Sequence, residues 1–289
     1  GPRTSGDRPK ETAPQQRLYM TSFIVSFMED QDISQAYDSI ASEYNIIEAD
    51  PSFKQLRVAS FAALMQVFRQ GKVVIDIGCS IGTEAIALAK YGVTVVGIDP
   101  SAEMVSIARK KARDSKLSNV YFYQLAAKDL SKLPQLCGFH RFDGAYSSLG
   151  ALNHEPIIEP VRDVLMDLLE KGSPVVISVR NRNCALEMLA YVFTSPRKVF
   201  RRRAPFVSIP ISGKPVNIRM YSNREVVRSM KPMKLVSFKA LHWLVPPAHL
   251  STKIPEDVLE FLSRMDEPLA GVWPLNRLGD YSIFTFVKR

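Results

Sequence analysis

Val74-Ile75-Asp76-Ile77-Gly78-Cys79-Ser80-Ile81-Gly82 decides the fold. Its opening residues continue the short apolar run Val73-Val74-Ile75, which has no polar face and reads as a strand buried on both sides. Glu84 to Tyr91 follows with helical spacing and stops at Gly92. A strand, a glycine loop and a helix in that order open a doubly wound sheet, whose ligands sit at the carboxyl ends of the strands. Glycine is needed there because backbone must approach a ligand closely or take a positive φ. The spacing excludes two phosphate loops. G-x-G-x-x-G would require glycine at the third and sixth positions counted from Gly78, which are Ser80 and Thr83, and G-x-x-x-x-G-K-[ST] is absent.

The alternation continues downstream. Val93 to Ile98 reads as a second buried strand, and Ser101 to Arg113 as a helix with Met104, Ile107 and Ala108 on one face. Val120 to Ala126, Phe142 to Ser147 and Val175 to Val179 read as three more strands. Val161, Leu165, Leu168 and Leu169 mark a helix that ends near Gly172. This pattern predicts an α/β fold, doubly wound and mostly parallel. After Val179 the regularity breaks. Residues 183–221 hold four prolines and a basic run, and read as an insertion. A helix at Asn223 to Met230 and strands at Leu235 to Trp243 and Tyr281 to Val287 complete the domain. A second insertion spans 246–279 with a helix around Val258 to Met265. Two insertions at one end of a sheet are material for a substrate lid.

Upstream, Gly1-Pro2 reads as a protease scar, and residues 1–17, with three prolines, as a disordered tail. Leu18 to Met28 reads as a helix over the active site, and Ile33 to Phe68 as helices divided by Pro51. The expected organisation is therefore a tail (1–17), a helical cap (18–70) and one α/β domain (71–289).

Asp76 through Gly82 resembles D-x-G-x-G-x-G, the first motif of class I S-adenosylmethionine-dependent methyltransferases, with Ser80 at the middle glycine. Asp99, 21 residues after Gly78 in Val96-Gly97-Ile98-Asp99-Pro100-Ser101-Ala102-Glu103-Met104, resembles the acid of the second motif. Ala36-Tyr37-Asp38-Ser39-Ile40-Ala41-Ser42-Glu43-Tyr44 resembles the Y-D-x-x-A-x-x-Y helix of small-molecule members, of the kind acting in ubiquinone and menaquinone biosynthesis. Phe142-Asp143-Gly144-Ala145-Tyr146-Ser147-Ser148 resembles the fourth motif, and Gly150-Ala151-Leu152-Asn153-His154 extends it. The resemblance covers about residues 36–180 and implies a seven-stranded Rossmann-like sheet.

It also implies S-adenosylmethionine as cofactor, with S-adenosylhomocysteine as product. The implied cofactor-binding residues are Tyr37, Tyr44, Asp76, Gly78, Cys79, Ser80, Gly82, Asp99, Pro100, Met104, Ala126, Ala127 and Ser147. Asp99 would accept both ribose hydroxyls, a task for which an ionised carboxylate has the lone pairs. One departure stands out. Family members often carry an acid after the third strand that meets the adenine amino group, and here that position is Ala126, followed by Ala127. Asp129 is the nearby substitute. His154 follows the fourth motif, and its ordinary pKa near 6.5 suits a general base. A hydrogen-bonded loop histidine reads the same way in sequence.

Composition narrows the rest. No apolar run approaches the roughly 20 residues that span a bilayer. Cys79, Cys137 and Cys184 are scattered and odd in number, which argues against a disulfide framework or structural zinc and for a reducing cytoplasm. No metal ligand set is evident. The net charge of +9 suggests nucleic acid, but residues 1–17 contribute +2 and Arg197, Lys198, Arg201, Arg202 and Arg203 contribute +5. The remainder is nearly neutral, unlike a nucleic-acid groove. That run reads as a solvated face, an anion site, or a peripheral membrane contact assisted by Phe200 and Phe206. The expected activity is methyl transfer to a small, apolar or anionic metabolite. A nucleic-acid methyltransferase, or a regulatory subunit keeping the fold without catalysis, is the alternative.

Overall fold

The computed structural model describes residues 33–251 and 254–289. The expected tail and the Leu18 to Met28 helix lie outside the described residues. Among the described residues nine strands are formed: β1 (Val73–Ile77), β2 (Thr94–Asp99), β3 (Val120–Gln124), β4 (Gly144–Ser147), β5 (Pro174–Arg180), β6 (Phe206–Ile211), β7 (Lys214–Arg219), β8 (Lys234–Leu241) and β9 (Tyr281–Val287). Seven of them make one sheet in the order β3-β2-β1-β4-β5-β9-β8. β1 to β5 are mutually parallel, and β9 runs antiparallel to both β5 and β8. The order reverses between β1 and β4, so the crevice expected to hold a ligand opens at the ends of β1, β2 and β4.

Alternating side chains of each buried strand serve two helical layers. Ile75 and Ile77 of β1 join Val96, Ile98, Val175, Ile177 and Phe284 against helix Glu159–Leu168 and helix Asn223–Ser229. Val74 faces the opposite way, with Val95, Tyr146, Val176 and Ile283. Helices Thr83–Lys90 and Ala102–Asp114 cover that side. Helix Pro51–Val67 belongs to the same layer, since its Leu56 and Leu64 bury in this core. The boundary expected at residue 70 is thus crossed by packing.

Local chemistry sets several ends earlier than periodicity suggests. β3 stops at Gln124, because Ala126 opens a 3-10 turn over Ala127–Lys132. β4 begins at Gly144, because the Asp143 carboxylate turns back to accept from Val73 N at 2.9 Å. β8 stops at Leu241, where His242 takes φ +56°.

The first insertion is not irregular. It contains helices Ala185–Thr194 and Pro196–Arg202, followed by the β6–β7 hairpin. Ser212 (φ +50°) and Gly213 (φ +75°) make the two-residue turn, whose positive φ values match the twist of a hairpin. Ile211 and Val216 pack on Ala36 of helix Ile33–Asp38, so the hairpin and the first described helix form one cover. In the second insertion, helix Glu256–Asp266 pairs with helix Pro51–Val67 through Lys54 Nζ and Glu256 Oε1 at 2.7 Å. Among the described residues no helix is long and apolar enough to cross a membrane.

Candidate active site

The loop after β1 is shaped by backbone that side chains would obstruct. Gly78 (φ +79°) and Gly82 (φ +77°) are left-handed, and Ser80 joins them at φ +50°. A Cβ on Gly78 would lie 2.3 Å from Ala151 Cβ, and one on Gly82 would lie 2.7 Å from Phe122 Cζ. Gly78 N and Cys79 N both donate to Ile98 O, at 2.8 and 2.9 Å, which ties the loop to the end of β2. The Cys79 side chain points into the core, and burial pushes its thiol well up. Only its backbone remains for a ligand.

Asp99 closes the cradle. It is 9% exposed, and its carboxylate accepts from Ser80 N (2.9 Å to Oδ2) and from Ser101 N (3.0 Å to Oδ1). Burial pushes the carboxyl up to about 6; the two backbone donors oppose this, and the Asp38 charge adds to it. Each oxygen keeps a lone pair, and the site offers the acid hydrogen-bond donors but no cation. A pair of vicinal hydroxyls would complete it. The glycine cradle beside such an acid fits a nucleoside cofactor with an extended tail.

The segment that precedes the sheet closes over this loop. Asp38 accepts from Ser101 Oγ at 2.5 Å and from Glu103 N at 3.1 Å, pinning helix Ile33–Asp38 to the start of helix Ala102–Asp114. Tyr44 lies beside the Ser80 hydroxyl, and burial pushes its phenol up to about 12. Met104 is fully buried with Ala41, Ile81, Tyr37, Ile40 and Tyr44, and its Sδ receives Ser80 Oγ at 3.6 Å. In this structure it is core beneath the loop. Asp38 is the acid of the Tyr37-Asp38 motif, but its partners, 63 and 65 residues away, were not legible in the sequence.

Asp76 and Ser147 sit under the cradle. Burial and the neighbouring Glu84 charge hold the Asp76 carboxyl well above the usual range, against the pull of the Tyr146 hydroxyl. Ser147 Oγ donates to Ile77 O at 2.9 Å, bracing β4 on β1. Pro100 O accepts from Gln124 Nε2 at 3.3 Å. Ala126 and Ala127 are partly buried at the turn after β3, and Asp129 pairs with Lys132 at 2.7 Å.

His154 ends the turn Ala151–His154 after β4, and its Nε2 is 2.9 Å from Tyr37 Oη with the rings edge to face at 5.3 Å. Nδ1 is buried and, among the described residues, has no partner. Burial lowers this imidazole to about 4, so it is neutral near pH 7. Tyr281, at the start of β9, would lie 3.2 Å (Cε1) from a Cβ on Gly150, and burial, then Tyr44, Asp99 and Tyr281, push the Tyr37 phenol well up. Tyr281 thus lies close to Gly150, four residues before His154. Asn153 ties this turn to its surroundings by donating to Arg180 O (3.1 Å) and Arg219 O (2.6 Å) while accepting from Arg180 N (2.7 Å).

Beside Tyr281, at Asp280, lies a buried ionic cluster that sequence reading missed. Arg202, taken as part of a solvated run, is 6% exposed. It pairs with Glu187 and, at 2.9 Å, with Asp280, which Arg180 also meets at 3.3 Å. Ligand atoms of Cys184, Glu187 and Asp280 come within 4.8 Å of one another, as a metal would require. The two guanidinium groups already engage those carboxylates, and burial pushes the Cys184 thiol up to about 12. Charge compensation by arginine, not by metal, explains this trio.

The match to known proteins agrees with this geometry. Residues 68–196 match the family described as "Methyltransferase domain". That stretch is a methyltransferase domain, and the strand order is that of the class I fold. The domain resembles the ubiquinone biosynthesis O-methyltransferase of Klebsiella pneumoniae, with 31% identity over 122 residues, covering 42% of this chain and 48% of that enzyme. The matched part thus spans about half the length of such relatives. A SAM-dependent methyltransferase structure from Methanosarcina mazei aligns at TM-score 0.54 and 15% identity, covering 78% of this chain and 96% of that one. Phosphoethanolamine N-methyltransferase 2 of Haemonchus contortus, solved with S-adenosyl-L-methionine, aligns at TM-score 0.53 and 15% identity, covering 91% and 60%. At such identities the structures share the methyltransferase fold and no more.

Proposed function

We propose that this chain transfers a methyl group from S-adenosylmethionine to a small acceptor bearing a hydroxyl group, in a cytoplasmic setting. The observation that carries the reading is Asp99, a buried carboxylate at the end of β2 that the glycine loop holds through Ser80 N at 2.9 Å. In this reading the backbone of Gly78, Cys79, Ser80 and Gly82 seats the methionine part and Asp99 accepts the ribose hydroxyls. Pro100, Ala126 and Ala127 border the adenine, with Met104 as core beneath them, while Tyr37 and Tyr44 close from above.

The cofactor supplies an activated methyl group on a sulfonium. What remains for the protein is orientation, water exclusion and removal of one proton. The helix and hairpin joined at Ala36, Ile211 and Val216 exclude water. Neutral His154, steadied at Nε2 by Tyr37, presents Nδ1 to take the acceptor proton. A base with so low a pKa is weak, so the acceptor hydroxyl should be acidic, as in a phenol or catechol. The hydroxyl acceptor follows the O-methyltransferases that the domain resembles. A nucleic-acid substrate is not favoured, because the excess charge is concentrated in residues 1–17 and the run 197–203.

Incubation with methyl-labelled S-adenosylmethionine and a panel of phenols and catechols tests the proposal. Label should pass to the acceptor oxygen and fall at least tenfold with His154→Gln. Binding of S-adenosylhomocysteine without label transfer to any acceptor would favour a non-catalytic methyltransferase fold.

A further inference from the structure

Two consecutive helices of the first insertion present a surface that methyl transfer leaves unexplained. On helix Ala185–Thr194, Val192 and Phe193 stand three and four residues after Leu189, and the three are 52%, 81% and 57% exposed respectively. On helix Pro196–Arg202, Phe200 is 80% exposed. Folded surfaces rarely show four large apolar side chains together without a partner. Arg197, Lys198 and Arg203 are also exposed there, and Lys198 Nζ lies 5.6 Å above the Tyr191 ring. The sequence assigned Phe206 to this surface. The structure instead places Arg219 over the Phe206 ring at 5.8 Å and brings in the outer face of the preceding helix.

The back of the pair is fixed. Arg202 binds both Glu187 and, beneath the pair, Asp280, so the apolar face belongs to a rigid platform. That platform follows directly on Arg180, at the carboxyl end of β5, and so stands at the same end of the sheet as Gly78 and Asp99.

We infer that helices Ala185–Thr194 and Pro196–Arg202 dock the protein on an anionic lipid surface. Aromatic and aliphatic side chains at helical spacing beside a basic run are the composition of an interfacial helix pair. Charge decides between this occupant and a second copy of the chain. A two-fold interface would bring Arg197, Lys198 and Arg203 against their own copies, whereas anionic headgroups neutralise them. The inference does not rest on the proposed methyl transfer, because lipid binding is measured without cofactor or acceptor.

Co-sedimentation with phosphatidylcholine vesicles, with or without ~30 mol% phosphatidylglycerol, provides the test. Wild-type protein should bind the anionic vesicles, bind neutral ones far more weakly, and detach in about 0.5 M salt. Arg197→Gln with Lys198→Gln should weaken binding on the order of 30-fold, from the electrostatic share of two cations near the surface. Phe193→Glu with Phe200→Glu should abolish it. Every variant should retain the thermal unfolding midpoint of the wild type. Failure to bind anionic vesicles, or binding undiminished in the phenylalanine variant, would overturn the proposal. So would a wild-type dimer in sedimentation that this variant dissociates.

Discussion

Ser80 N–H donates to Asp99 Oδ2 at 2.9 Å, so the loop after β1 and the acid that ends β2 form one hydrogen-bonded unit. Neither part is placed without the other. Ser80 reaches Asp99 only because it takes φ +50° between two left-handed glycines, and Asp99 stands at that height only because β2 pairs in register with β1. The second motif therefore supports the first, which explains how a serine serves where the resemblance leads one to expect glycine.

Gly78 is the least replaceable residue of that unit. Gly78→Ala adds a methyl group 2.3 Å from Ala151 Cβ at φ +79°. The cost should be about 1–3 kcal/mol in urea unfolding, and cofactor affinity should fall with it. Gly138→Ala, where a Cβ meets nothing within 4 Å and φ is +74°, isolates the cost of φ alone.

The acid limb of stability should carry a histidine signature. His154 and His242 are each lowered by burial to about 4, against 6.5 when unfolded. Between those values the unfolded chain binds the extra protons, so stability falls as pH drops from 6.5 toward 4, by up to about 3 kcal/mol per residue. Asp99, raised to about 6, works in the opposite direction and gains stability over part of that range. Urea midpoints from pH 7 to 4.5 should fall for the wild type and flatten for His242→Asn.

Much of the fold was legible because the central strands are apolar on both faces and the helices between them keep one buried stripe. The strand order was not. It came with the resemblance, since periodicity carries no information about neighbours. The β6–β7 hairpin escaped notice because Pro210 and Pro215 interrupt its strands, although Ser212-Gly213 is a readable turn signal. At the site, Gly78 and Gly82 stand out as glycines after a buried strand, whereas the role of Asp99 came with the resemblance. The contacts of Asp38, Arg202 and Tyr281 were not legible, because each acts through a partner distant in sequence.

Arg202 offers a separate test of the buried cluster. Arg202→Met leaves Glu187 and Asp280 with less compensation in a dry site. The change should cost about 3–5 kcal/mol and loosen helices Ala185–Thr194 and Pro196–Arg202. Hydrogen exchange should accelerate there before it does in β1. Glu187→Met added to Arg202→Met should recover part of the loss.

The cofactor should also show proton linkage. Ribose hydroxyls favour the ionised form of Asp99, whose carboxyl stands near about 6 in the free protein. Binding of S-adenosylhomocysteine should therefore release a proton near pH 6 and weaken below it. Calorimetry in two buffers of different ionisation heat reads that release, which Asp99→Asn should abolish.

Titration of the wild type and Asp99→Ala with S-adenosylhomocysteine tests the central claim most directly. Wild-type binding should be micromolar, and the variant should bind about 10- to 150-fold more weakly, the equivalent of about 1.5–3 kcal/mol for charge-assisted hydrogen bonds. Equal affinity in the two proteins, or no binding by a folded wild type, would contradict the assignment of this cradle.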